Sequence, residues 1–410
     1  MHVVIFEASR WHQFAPLSLS RPLFTLASGM STLLQKQIRH LRPTKLTLWV
    51  RPQLEQFCRE RVAPKTGLPT DVNTPLGDEP ALLVNGRTCH FGWMEHPEQE
   101  SVMIDEQGVV LVAMTRSPGL SPRDAWDRNE RWLKLLDLPH IPSQGRQVHS
   151  IADLVHWNDD SLIEDYAHLK EPSQPKPAGP YHLIDDADVW LGKGAKLGAG
   201  CVIDASKGPV VLADGASVGF NAVVQGPCYI GAHATVMPLA LIRPGTSIGP
   251  LCKIGGEVSM SIILGYSNKS HEGYLGHSYL GKWVNLGAGT TTSNLKNTYG
   301  EISLKTAARE LSSGWRFLGS FLGDHAKTAI QTRLMAGTYV GFGSMLAGSG
   351  PAPRFVPSYT FWTDKGMEPY RLDKAIEVAK RVFARRDRGW TDLDQQMMHY
   401  IAEEAPGAEK

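Results

Sequence analysis

The stretch Asn268-Lys269-Ser270-His271-Glu272-Gly273-Tyr274-Leu275-Gly276-His277 is crowded with side chains able to do chemistry. An imidazole has a free pKa of about 6.5 and so exchanges protons near working pH, which suits His271 to general-base work. The competing reading is a solvated loop histidine. Upstream, Arg243-Pro244-Gly245 places an arginine just after the apolar residue Ile242, so its side chain should point outward. Its planar fork suits a phosphate group, although a solvated corner arginine fits the same spacing. His271 and His277 together raise a zinc reading, but zinc needs three protein ligands and a third histidine at suitable spacing is absent.

These residues lie within a ladder of period six. An aliphatic residue or Met recurs at Leu212, Val218, Val224, Ile230, Val236, Ile242, Ile248, Ile254 and Met260. A shorter ladder precedes it (Leu191, Leu197, Ile203), offset by Lys207-Gly208-Pro209, and another follows through Leu322, Thr328, Leu334, Val340 and Leu346. Six fits neither a helix nor an ordinary strand. It fits a parallel β-helix of hexapeptide repeats, each a short strand and a turn. The ladder is expected over 183–355, with breaks at Ile262–Tyr279 and, as a protruding loop, at Ser293–Phe317. Pro351-Ala352-Pro353 should end it. A helical segment over 356–410 (Leu372–Arg386, Leu393–Ala402) would cap the open end.

Residues 1–165 have a different texture. The apolar runs His2–Phe6, Lys45–Val50, Ala81–Val84 and Val109–Met114 look like buried parallel strands. They alternate with helix-like stretches at Met30–Leu41, Leu54–Arg61 and Ala125–Leu136, the last with Trp126, Trp132, Leu133 and Leu136 at helical spacing. That alternation predicts an α/β layer domain of Rossmann-like type. A proline-rich linker at 166–182 should separate it from the coil.

At 410 residues the chain is too long for a single core. A net charge of +1 gives no argument for nucleic acid or an anionic membrane as partner, and neither is expected. No apolar run approaches a membrane span. Five scattered cysteines without a C-x-x-C pair read as free thiols, and a cytoplasmic location is expected.

The Lys-x-His-x-x-Tyr-Leu-Gly string followed by Asn285-Leu286-Gly287-Ala288-Gly289-Thr290, with Arg243-Pro244-Gly245, resembles the acetyltransferase domain of the bifunctional N-acetylglucosamine-1-phosphate uridylyltransferase/glucosamine-1-phosphate acetyltransferases. Pro16-Leu17-Ser18-Leu19-Ser20-Arg21-Pro22 resembles the opening of their relatives, the sugar nucleotidyltransferases with a C-terminal hexapeptide-repeat domain. The resemblance implies a left-handed β-helix, acetyl-CoA as co-substrate and a homotrimer with sites at subunit interfaces. It implies that His271 is the general base that deprotonates a sugar amine as it attacks the acetyl thioester. Arg243 would hold the sugar phosphate, Tyr274 and Asn285 would contact the sugar, and Ala288 and Asn294 would lie near acetyl-CoA. Three departures stand out: the family's acceptor-binding Lys falls on Ser259, its Asp on His277, and a Ser near the cofactor on Ile330. The acceptor need not be glucosamine-1-phosphate, and amine and hydroxyl acceptors both stay open.

For the amino-terminal domain the resemblance implies nucleotidyl transfer to a sugar-1-phosphate, with Mg²⁺ as a candidate ion. The usual glycine-rich loop is replaced by Glu7-Ala8-Ser9-Arg10, Arg21 matches the phosphate-contacting Lys, and Asn85 stands where the family carries a Mg²⁺-binding Asp. Glu7, Arg10, Arg21 and Asn85 would cluster outside the strand ends, with Glu7 able to replace the missing carboxylate. Two rivals remain: a nucleotidyltransferase whose coil only oligomerises it, and a non-catalytic sugar-nucleotide scaffold.

Overall fold

A computed structural model describes residues 1–8, 10–89, 97–104, 110–123, 138–142, 146–307 and 310–410. The expected helix at Ala125–Leu136 lies outside them. The chain divides into two compact units. One comprises Met1–Phe14, Ser20–Leu26 and Ser31–Ser150; the other comprises Ala15–Leu19, Ala27–Met30 and Ile151–Lys410.

The first unit is built on a seven-stranded sheet. Its strands run in the order His140–Pro142, Ser101–Ile104, Val110–Thr115, Ala81–Asn85, His2–Phe6, Lys45–Trp49 and Thr70–Val72. His2–Phe6 lies between Lys45–Trp49 and Ala81–Asn85, parallel to both, and Val3 to Phe6 are fully buried. That burial on both faces explains the unbroken apolar runs. Val110–Thr115, expected to be parallel, is antiparallel to Ala81–Asn85 and to Ser101–Ile104. Apolar runs do not encode strand direction, and the few residues from Ile104 to Val110 cannot make a parallel crossover. The helix Leu33–Leu41 begins with a capping box between Thr32 and Gln35.

The second unit is a three-sided parallel β-helix. Regular turns repeat every eighteen residues: Val210 pairs with Cys228, Ser217 with Thr235 and Val223 with Leu241. Rungs Leu212, Val218, Val224, Ile230, Val236, Ile242, Ile248 and Ile254 are at most 2% exposed. The next expected rung, Met260, is instead a half-buried corner residue at φ 44°, and Val258 fills the core. Leu241 pairs with Glu257, two residues short of a regular turn, and this moves the rung.

The expected break at Ile262–Tyr279 is not a break. The strands Ile262–Ile263, Asn268–Lys269, Tyr274–Gly276 and Tyr279–Leu280 continue the three faces. Residues 293–317 do interrupt the stacking: Tyr279 pairs onward with Phe321, and the intervening segment carries an antiparallel pair, Ser303–Lys305 with Glu310–Ser312. Pro351 does not end the coil either, since Phe355–Val356 pairs with Tyr339–Val340 and Phe361 with Met345.

Helices Ile151–His156 and Asn158–Ala167 belong to this unit, although the sequence placed them with the α/β domain. Asn158 explains the placement, because its amide donates to Gly245 O and Ser247 Oγ while its Oδ1 accepts from Gly29 N–H. The proline-rich segment lies along the first turn: Gln174 N–H donates to Leu191 O, and Ser173 Oγ accepts from Leu191 N–H. Helices Leu372–Ala384 and Asp392–Ala408 follow the last turn. Phe383 stacks on Trp283, which stacks on Tyr266 along one edge of the coil.

Candidate functional site

His271 lies on the edge between the strands Asn268–Lys269 and Tyr274–Gly276, and its side chain is exposed. The edge is tight: a Cβ at Gly273, whose φ is +111°, would stand 2.2 Å from Thr290 O. The His271 segment is therefore packed against the edge segment of the following turn, which holds Ala288. Asn285 bridges to Asn268 and is exposed on the face that precedes this edge.

The face after the edge carries a connected polar set. Arg243 Nη1 pairs with Glu257 Oε1 at 3.0 Å, with both side chains well exposed. Glu257 is in register with Tyr274, and Ser259 with Gly276. A Cβ on Gly276 would meet Tyr274 Oη at 2.2 Å, so the phenol lies across this glycine. Asn294 Nδ2 reaches both Tyr274 Oη and His277 Nδ1, each at 2.9 Å. The Tyr274 phenol pKa is raised by burial and by Glu257, while Arg243, Asn294 and Ser259 oppose the shift.

His277 sits at the far end of this face at φ 48°. Its ring stacks on Phe317 with centroids 5.5 Å apart and lies 5.7 Å from His156. Burial, with His156 as a lesser cause, takes its pKa down to about 4. His156 stacks on Trp315 at 3.6 Å and faces Phe317 O at 2.8 Å through Nε2; burial lowers its pKa too. Both imidazoles are neutral at physiological pH. Sequence reasoning missed His156, Trp315 and Phe317: helix Ile151–His156 lies far before the string in sequence, and no spacing within 293–317 shows that Trp315 and Phe317 fold back onto it.

The structure thus joins Arg243, Tyr274 and Asn294 through Glu257, Ser259 and His277 on one face. It places His271 and Ala288 on the adjoining edge and Asn285 beyond that edge. Ile330, on the same edge one turn past Ala288, is 71% exposed. Among the described residues, no three His, Cys, Asp or Glu side chains are grouped to hold a metal.

In the first unit Glu7 is fully buried and committed. Its Oε1 accepts from Arg51 Nη1 at 2.6 Å and from Leu23 N–H at 3.2 Å. Burial raises its pKa against the opposing pull of Arg51. Arg51 in turn lies 3.9 Å over the Trp11 ring. Asn85 is fully buried, its Nδ2 donating to Val110 O and its Oδ1 accepting from Arg87 N–H. Neither residue fits a Mg²⁺ ligand: Glu7 is spent on an arginine, and the Asn85 oxygen on a backbone amide. The carboxylate expected to replace the missing one is thus paired with Arg51 in this structure. Arg21 is buried, with Nε and Nη2 donating to Ser20 Oγ, while Arg10 is exposed.

Residues 3–174 match the family described as sugar nucleotidyl transferase. Part of the chain is similar to bifunctional nucleotidylyltransferase/acetyltransferases. It is similar to the bifunctional protein GlmU of Marinobacter nauticus, 33% identical over 162 residues that make up 35% of this chain and 34% of that protein. It is also similar to a bifunctional sugar-1-phosphate nucleotidylyltransferase/acetyltransferase of Sulfurisphaera tokodaii, 34% identical over 137 residues, 33% of this chain and 34% of that protein. The match to each therefore spans about a third of the relative's length. Among solved structures, an Arabidopsis UDP-N-acetylglucosamine acyltransferase covers 56% of this chain and 92% of that one, at 12% identity and a TM-score of 0.27. A likeness that low carries no argument.

Proposed function

We propose that the β-helix of this GlmU relative transfers an acetyl group from acetyl-CoA to the amine of an amino-sugar phosphate, with His271 as general base. The observation that carries the reading is the exposed His271 imidazole on an edge adjoining the Arg243, Tyr274 and Asn294 face. His271 takes the amine proton as nitrogen attacks the thioester carbonyl, and the C–S bond then breaks to release CoA. Arg243 holds the acceptor phosphate, Tyr274 and Asn285 contact the sugar, and Ala288 and Asn294 lie beside the co-substrate. Ser259 removes one cation from this face, and Glu257 partly offsets Arg243, so the acceptor phosphate is held with less positive charge than a lysine at 259 would give.

A homotrimer completes the site. The edge that bears His271 also bears Phe220, Leu239 and Ile330, which are 61%, 78% and 71% exposed. A single coil leaves that apolar column in water, and a neighbouring copy would cover it and wall the pocket. All five cysteines are free and buried, in keeping with a reducing cytoplasm, and no helix among the described residues is long and apolar enough to cross a membrane.

For the first unit, the family match supports binding of a nucleotide and a sugar-1-phosphate and nucleotidyl transfer between them. The commitment of Glu7 to Arg51 and of Asn85 to backbone favours a second reading, in which this unit binds without chemistry. One screen separates the two. Sugar phosphates are presented with acetyl-CoA and nucleoside triphosphates together, and CoA and pyrophosphate release are followed separately. CoA release with an amino-sugar phosphate is expected. Pyrophosphate release alone would leave the coil a purely oligomerising element, and neither product would leave a binding scaffold.

A further inference from the structure

Lys269 occupies a position that the preceding turns give to apolar side chains. It pairs with Ile254, in the column that also holds Val218 and Val236, and is only 2% exposed. Its Nζ donates to Gly255 O at 2.8 Å and to His271 O at 2.9 Å. Those carbonyls belong to successive turns of one edge, the edge that presents His271. A Cβ at Gly256 would come within 2.7 Å of the ammonium, so backbone closes around it from below. Burial lowers the Lys269 pKa to about 8, opposed by Glu272, so the group is mostly protonated at neutral pH.

The turn's geometry explains why a cation is tolerated here. Thr235 pairs with Lys253 eighteen residues on, but Lys253 pairs with Asn268 only fifteen on. In regular turns an edge amide donates to a carbonyl of the previous turn, as Leu239 N–H does to Phe220 O and Asn221 N–H to Ala199 O. The shortened turn brings two carbonyl oxygens toward the core instead, and the ammonium serves both. An apolar rung would fill the column and leave those oxygens without this donor.

We propose that Lys269 is a positioning residue: its ammonium ties the Gly255 and His271 carbonyls together and fixes the edge from which the His271 imidazole projects. The inference rests on the reading of His271 as proton acceptor. A base displaced by about 1 Å loses on the order of 10²-fold in rate. The shift acts on the proton transfer itself, so it reads in kcat and not in co-substrate affinity.

The test uses the full chain with Lys269→Met, Lys269→Gln, His271→Ala and the double variant Lys269→Met/His271→Ala. Ile254→Met, one turn below, serves as a packing control. Lys269→Met is expected to lower kcat by roughly 10- to 100-fold with KM for acetyl-CoA changed less than about 2-fold. Lys269→Gln, which keeps one donating amide, should fall between and carries the test should the Met variant not fold. The double variant should be no slower than His271→Ala, because the lysine acts through the histidine. Amide exchange in 270–273 should quicken in the Lys269 variants and not in Ile254→Met. Unchanged exchange there, or an equal rate loss in the His271→Ala background, would overturn the proposal. Full activity of His271→Ala would instead refute the role of His271, and the exchange data would still decide whether Lys269 holds the edge.

Discussion

A single exposed imidazole carries the proposed chemistry, and its removal leaves packing untouched. His271→Ala is expected to cut acetyl transfer by roughly 10²- to 10⁴-fold with an unchanged thermal transition, measured by CoA release and calorimetry. An unchanged rate would remove His271 from the mechanism. The other two histidines behave differently. The folded pKa of His277, about 4, lies below its ordinary 6.5, and His156 is lowered as well. As pH falls through this range the unfolded chain takes up protons that the folded chain excludes. The stability that these two neutral imidazoles govern is therefore fully present above about pH 6.5 and is lost progressively toward pH 4. Replacing His277 with Asn should flatten the fall in melting temperature across that window, and an identical acid profile would show that His277 is not the responsive group. At this scale the string around His271 was legible because motif spacing survives in sequence. The stacking of His156 on Trp315 was not, because it joins segments more than 150 residues apart.

Among the elements, the six-residue step named every rung from Leu212 to Ile254 correctly, then lost register. A two-residue shortening between Leu241 and Glu257 moved the rung to Val258, and Met260 kept the step only because a corner residue happened to be apolar. Lys269 hid the next turn for a related reason: a hydrophobicity pattern cannot recognise a rung whose charge is satisfied by backbone oxygens. Proline misled in the same way at Pro351, where the coil goes on by pairing Phe355–Val356. Within the site face, the element makes its own demand. Tyr274 lies across Gly276, so Gly276→Ala should push the phenol off Asn294 and Ser259. We expect acceptor KM to rise by roughly 10-fold, about 1.4 kcal/mol, with melting temperature lowered only a few degrees because a side-chain terminus can yield. Tyr274→Phe should reproduce the KM change without the stability loss; normal acceptor KM in both variants would separate this phenol from acceptor binding.

In the whole molecule, composition and layer alternation read the two architectures but not the division between them. Helices Ile151–His156 and Asn158–Ala167 pack with the coil, since Asn158 is held by Gly245, Ser247 and Gly29. No helical periodicity names such partners in advance. The same scale decides whether the proposed site is complete in one copy. Phe220, Leu239 and Ile330 project from one edge of the coil on either side of His271, and burying such side chains between copies is worth roughly 1.5–3 kcal/mol each. A carboxylate at two of these positions recurs at every interface of a threefold ring, so small penalties multiply. Leu239→Asp/Ile330→Asp is therefore expected to sediment as single chains, and the parent, on the proposed homotrimer, as three. It should keep the parent's circular dichroism and lose most acetyl transfer, because each pocket lacks its second wall. A parent that is fully active as one chain would instead place the whole acceptor and co-substrate site on the Arg243–Tyr274 face of a single coil.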